Sequence, residues 1–176
     1  MTDGKTSLER AATAIDGLSE HTGRAIAWLT LAMCLTGFAI VILRYVLNTG
    51  FIWMQEALTW MHAVVFMLGA AYTLRHDEHV RVDVLYRRMS DRSRAIVDLA
   101  GTVLFLLPLC GYLLYETVPY VESSWRVAER SREAGGLPAL YLLKAVIPLM
   151  AVLLAIQGLA TVLRCVDRLK QRDAGE

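Results

Sequence analysis

Four long apolar stretches partition this chain of 176 residues, at about Ile26–Leu43, Phe51–Leu74, Ala95–Tyr115 and Leu137–Leu163. A helix rises about 1.5 Å per residue and a bilayer's hydrocarbon core is about 30 Å thick, so each stretch can cross it. Too little chain remains for a separate soluble domain of ordinary size. The expected fold class is all-α, an integral membrane protein with four transmembrane helices.

The rest of the composition agrees. Apolar residues make up 56% and charged residues 20% of the chain. The charges gather between the apolar runs, whereas a soluble helix would spread them along one face. A net charge of +1 with no basic stripe excludes a nucleic-acid partner as an expectation. Cys34, Cys110 and Cys165 have no C-x-x-C spacing, so they read as small apolar residues within or at the end of spans. More than twenty polar or mildly amphipathic residues precede the first run, which does not suit a cleavable signal.

The organisation follows. Residues 1–23 form a cytoplasmic amphipathic segment. Residues 24–164 form the membrane domain, with spans at about 24–47, 51–74, 95–118 and 137–164, and residues 165–176 form a basic cytoplasmic tail. Orientation comes from Lys and Arg, which favour the cytoplasmic side. Thirteen of the 18 lie in the N-terminal segment, the middle loop and the C-terminal tail. Both termini are therefore expected in the cytoplasm.

Leu8, Ala11, Ile15 and Leu18 have the spacing of one apolar helix face, which predicts a helix over 6–23, either lying along the cytoplasmic membrane surface or standing as a solvated helical tail. A short turn at Asn48-Thr49-Gly50 makes the first two spans a hairpin. Pro108 and Pro148 fall inside spans three and four, where each should kink its helix or end a turn. Glu122 with Arg126, and Glu129 with Arg132, have helical pair spacing. Gly135-Gly136 is a stop signal, and Pro138 suits the first turn of span four.

A charge in mid-span costs on the order of 2.5–3.5 kcal/mol on insertion scales, so each such residue needs a partner or a role. Arg44, Glu56, Glu116 and Lys144 belong at similar depth toward the outer ends of the four helices. Two positives and two negatives predict a structural charge cluster that ties the helices together. A proton or ion path is the alternative. Asp98 favours the start of helix three, where it meets the positive end of the dipole or pairs with Arg94. His62 is one histidine in a span, whereas a haem held between helices wants two. No catalytic constellation is visible. Trp28, Trp53 and several tyrosines form an aromatic belt near span ends. Trp60 lies deeper.

The run Arg44-Tyr-Val-Leu-Asn48, then Trp53-Met-Gln-Glu56 and Leu68-Gly-Ala-Ala71, resembles the small membrane subunit of tripartite ATP-independent periplasmic (TRAP) transporters. So does the following Arg75 and His79-Val-Arg-Val-Asp83-Val-Leu. Glu122-Ser-Ser-Trp125, Glu129-Arg-Ser131, Gly136-Leu-Pro138, Lys144, Pro148 and Gln157-Gly158 resemble that family's branch for keto-acid, mannitol or chloroaromatic-type substrates. The resemblance covers about residues 24–164. Gln55 departs from it, standing where the family often has a second glutamate.

This resemblance implies a role and partners. A periplasmic solute-binding protein captures an organic acid or similar solute. A large multi-span membrane subunit carries it, coupled to sodium, across the bacterial inner membrane. The small subunit holds no substrate, cofactor or metal and braces the large one. Arg44 and Glu56 would hold its helices together. Trp53, Trp60 and Gly69 are candidates for packing, and Arg87, Arg88, Arg92 and Arg94 for anionic lipid headgroups of the membrane. Two other readings remain open at this stage: an autonomous proton-coupled four-helix transporter working through Glu56, and the membrane anchor of a redox complex.

Overall fold

The structure is a computed structural model that describes residues 7–76, 86 and 89–173. Its helices are α1 (Ser7–Tyr45), α2 (Ile52–Arg75), α3 (Asp91–Gly101), α4 (Leu107–Arg126) and α5 (Leu140–Asp173). A single π-helical turn, Thr102–Leu106, joins α3 to α4 so that the two make one span. Among the described residues four helices are thus long and apolar enough to cross a membrane, as expected. The expectations placed on His79, Arg87 and Arg88 lie outside the described residues.

The large side chains point outward and the small ones inward. Trp28, Phe105 and Tyr115 are 73%, 75% and 78% exposed, while the buried positions include Ala12, Ala71, Ala95, Ala151 and Ala160. Water would penalise such a surface heavily. Lipid does not, because acyl chains are as apolar as leucine; small residues at the seams then let the helices approach closely. Glycines mark two of these approaches. A Cβ on Gly23 of α1 would fall 2.2 Å from the Tyr72 ring of α2, and one on Gly158 of α5 would fall 3.0 Å from Leu106 Cδ2 in the π turn.

The last helix is the core of the bundle. It packs on all four others, whereas α4 has no extended contact with α1 or α2. The most apolar part of α5 is 22% buried, against 6% for α1 and α2.

One sequence expectation changes. The segment before the first span does not turn along the membrane surface. It continues α1 without a break, giving a helix of 39 residues, about 58 Å long by helical rise. Its buried face is Ala12, Ser19 and Ile26, at seven-residue spacing, packed toward α5. Leu18, expected on the apolar face, is 47% exposed. The deciding factor is α5, which is itself long enough to give this extension a partner.

The two prolines take different places. Pro108 follows the π turn directly and sits in the first turn of α4. A proline cannot donate to the carbonyl four residues back, and a wide turn absorbs that missing bond without ending the helix. Pro148 stays inside α5, which runs on past it to Asp173.

Candidate functional site

The polar side chains of the bundle collect at its two ends. The hairpin end holds the α1–α2 turn and the loop between α4 and α5. The far end is where α1 begins and α5 finishes.

At the hairpin end the sequence from 127 to 139 folds into a compact loop. Ala128 and Gly135 take positive φ values of 45° and 83°, which reverse the chain twice. Glycine adopts that backbone freely, whereas an alanine there costs about 1–2 kcal/mol. Two carboxylates hold the loop. Glu56, in the second turn of α2, accepts from the Ser131 hydroxyl at one oxygen and from the Leu137 N–H at the other, 2.6 Å away. Gly136 passes so close that a Cβ there would lie 2.7 Å from Glu56 Oε2. Glu129 accepts from Ser124 Oγ at 2.6 Å and from Lys144 Nζ at 2.5 Å. The Lys144 ammonium also rests 4.3 Å from the centre of the Tyr120 ring. Trp125 meets Tyr141 edge to face at 4.8 Å, fastening the end of α4 to the start of α5.

The Lys144 ammonium, and after it the Ser124 hydroxyl, hold the Glu129 carboxyl below the usual carboxylate range. Both contacts favour the charged form over the neutral one.

The expected four-member charge cluster is therefore rearranged. Glu56 and Lys144 are both engaged, but each with the loop and not with the other. Arg44 and Glu116 are exposed, and neither makes an ion pair among the described residues. The cause is topological. Because α4 does not pack on α1, Glu116 and Arg44 are held apart, and the loop reaches Glu56 first. Arg44 ends α1, where the helix dipole favours a cation.

At the far end, side chains bridge helix to helix directly. Gln157 of α5 is fully buried. It accepts from Ser19 Oγ at 2.6 Å and donates to Asp16 Oδ1 at 3.0 Å. Arg164 Nη1 donates to the other Asp16 oxygen at 2.6 Å. One turn along α1 from Asp16, Glu20 pairs with Arg75 at the end of α2 and with Arg24 at 2.9 Å. His76 Nε2 lies 3.2 Å from Glu20, with its ring 4.4 Å from that of Tyr72. Tyr86 donates to Asp98 at 2.7 Å, and Arg94 donates to the Tyr86 carbonyl at 3.1 Å.

The remaining candidates fall as follows. Trp53 is 48% exposed and Trp60 half-buried. Among the described residues nothing lies within 4 Å of where a Gly69 Cβ would be, so none of the described helices packs there. Arg92 is exposed, and the Arg94 guanidinium lies 5.3 Å from the centre of the Tyr86 ring. His62 is exposed. Glu122 does pair with Arg126, at 2.6 Å.

Sequence reading missed Asp16, Ser19 and Arg164, and it gave Glu129 a different partner. Gln157 carried a signal, as the lone amide in a run without charge from Ala145 to Leu163. The loop contacts carried none, since Glu56 and Ser131 are 75 residues apart.

Among the described residues every buried side-chain nitrogen or oxygen has a hydrogen-bond partner, and no group of three His, Cys, Asp or Glu side chains is placed to hold a metal. The arrangement can tie helices and a loop into one body.

No solved structure matches the chain. Over 104 residues it is 34% identical to the C4-dicarboxylate TRAP transporter small permease protein DctQ of Vibrio cholerae serotype O1. That alignment takes in 57% of this chain and only 45% of the Vibrio protein, so the chain spans about half the length of the relative it matches. The family of tripartite ATP-independent periplasmic transporters, DctQ component, matches residues 33–168, from the middle of α1 almost to the end of α5. With well over half of its length inside that match, and part or all of each of its four spans, the chain belongs to the DctQ component family of tripartite ATP-independent periplasmic transporters.

Proposed function

We propose that this protein is the small permease subunit of a sodium-coupled, binding-protein-dependent TRAP transporter. It braces the large transporting subunit in the bacterial inner membrane, with both termini in the cytoplasm. The solute is an organic acid, the chemical class to which the dicarboxylates named for the Vibrio relative belong. A periplasmic binding protein delivers it, and the large subunit carries both the solute site and the sodium sites.

One observation supports the brace reading above the rest: the clamp residues satisfy one another within the chain. Glu56 and Glu129 have their oxygens filled by the loop and Lys144, and Gln157 is filled by α1. A transport site instead keeps polar groups in reserve for its passenger. A part that moves within the membrane also needs a stiff neighbour to move against. Gly69 and Trp53, open on the outside of α2, are the places offered to the large subunit.

Reconstitution tests this. Liposomes holding this chain alone should take up no organic acid under a sodium gradient. Uptake should need the large subunit and the binding protein as well, and the large subunit should co-purify with this chain. Solute accumulation by this chain alone would refute the brace. For topology, a reporter active only outside the cytoplasm should stay silent when fused after Glu176.

A further inference from the structure

Glu56, the carboxylate expected to neutralise Arg44, is turned into the α4–α5 loop, where Ser131 and the Leu137 N–H take its two oxygens. Arg44 is left exposed, without a hydrogen bond or ion pair among the described residues. Arg44 lines an open cleft of about 530 Å³ at the turn between α1 and α2. Asn48 takes a left-handed conformation in that turn, φ 50°.

The cleft has two kinds of wall. Ile40, Leu43 and Ile52 supply hydrocarbon, while Asn48, Thr49 and Gln55 supply amides and a hydroxyl. No Asp or Glu lines it. It opens where the charge-free run of α1, Ala25–Leu43, gives way to Arg44, and Tyr45 and Phe51 stand beside it. Aromatic and basic residues at the end of an apolar run mark the boundary between acyl chains and headgroups.

We propose that this cleft is a binding site for one anionic phospholipid, its phosphodiester on Arg44 and the upper part of an acyl chain against Ile40 and Leu43. The planar guanidinium presents paired donors that match phosphate oxygens. The apolar wall is what a lipid uses and a soluble anion does not. A zwitterionic headgroup would bring an ammonium to a wall that has no carboxylate to receive it, so a phosphatidylglycerol-type lipid is preferred over phosphatidylcholine. The site rests on the membrane reading alone and does not depend on the transporter assignment.

The test is native mass spectrometry of the full-length protein, delipidated in detergent and titrated separately with phosphatidylglycerol, phosphatidylcholine and inorganic phosphate. Wild type should bind phosphatidylglycerol more tightly than either of the others. Arg44→Gln should weaken phosphatidylglycerol about tenfold, as expected for loss of a charged hydrogen-bond donor, and leave phosphatidylcholine unchanged. Arg44→Lys should keep part of the binding. Ile40→Trp, which fills the apolar wall and leaves the guanidinium, should also weaken it; this variant decides the matter if Arg44→Gln does not fold by circular dichroism. Phosphatidylglycerol binding that survives Arg44→Gln overturns the proposal, as does phosphatidylcholine bound equally well. Phosphate binding as tight as the lipid's, with Ile40→Trp silent, would leave only an anion subsite and overturn it too.

Discussion

The two ends of the bundle solve one problem differently. At the far end the partners sit on helices, and the bonds run straight from α1 to α5 and from α1 to α2. At the hairpin end the partners sit on a loop, and Glu56 and Lys144 reach from helices into it. Helix-borne partners are positioned by the backbone before any side chain bonds. Loop-borne partners are not, because the loop's own conformation depends on the bonds it makes. The hairpin end should therefore be the more fragile, and damage there should spread through residues 127–139.

The largest expected effect comes from removing the loop's anchor. Glu56→Leu leaves the Leu137 N–H and the Ser131 hydroxyl without their acceptor. An unsatisfied buried group costs about 1–3 kcal/mol and these two are half-buried, so a loss of about 2 kcal/mol is expected. Unfolding in mixed micelles should show the destabilisation. Hydrogen exchange should show it concentrated between α4 and α5, with α1 unaffected. Uniform loosening of all helices would erase the distinction between the ends.

Gln157→Leu makes the matching cut at the far end. Ser19 and Asp16 each lose a partner, but Arg164 still holds Asp16. Hydrogen bonds between membrane helices average about 0.6 kcal/mol, so a cost of about 1 kcal/mol is expected. If this variant proves worse than Glu56→Leu, helix-borne partners are the weaker design, and the comparison reverses.

Glycine substitutions are subtler. A Cβ on Gly158 sits 3.0 Å from Leu106 Cδ2 and 3.4 Å from Thr102 Cγ2, both in the π turn. The Leu106 methyl can give way, so Gly158→Ala should cost no more than about 1 kcal/mol. Gly69→Ala meets open space within this chain and should leave the isolated subunit's stability within about 0.5 kcal/mol of wild type. An effect of Gly69→Ala seen only when the large subunit is present would locate the contact between them.

The four spans could be read from sequence because lipid imposes one rule over some twenty residues at a time. A run such as Ala25–Leu43 has few other uses. The pairings could not, because no such rule links distant residues. Lys144 was legible as a charge needing a partner, but its choice of Glu129 over Glu116 depends on the path of the loop. Likewise Leu8, Ala11, Ile15 and Leu18 announce a helix. Which face it buries is decided by α5, whose small residues draw in Ala12 and Ser19 instead.

The smallest effect separates the ends by pH. Lys144, and then Ser124, hold the Glu129 carboxyl below the ordinary carboxylate pKa of about 4.5. A group depressed on folding contributes fully above its unfolded pKa and loses that contribution as pH falls through the folded value. Glu129 is solvent-accessible, so the contribution is small and screened by salt. Exchange protection of residues 127–139 should thus be flat down to about pH 4.5 and decline in more acid solution. Glu129→Gln should remove that decline and start from the lower protection, since a neutral amide cannot bind Lys144 as strongly. If the decline persists unchanged in Glu129→Gln, the acid-sensitive group lies elsewhere.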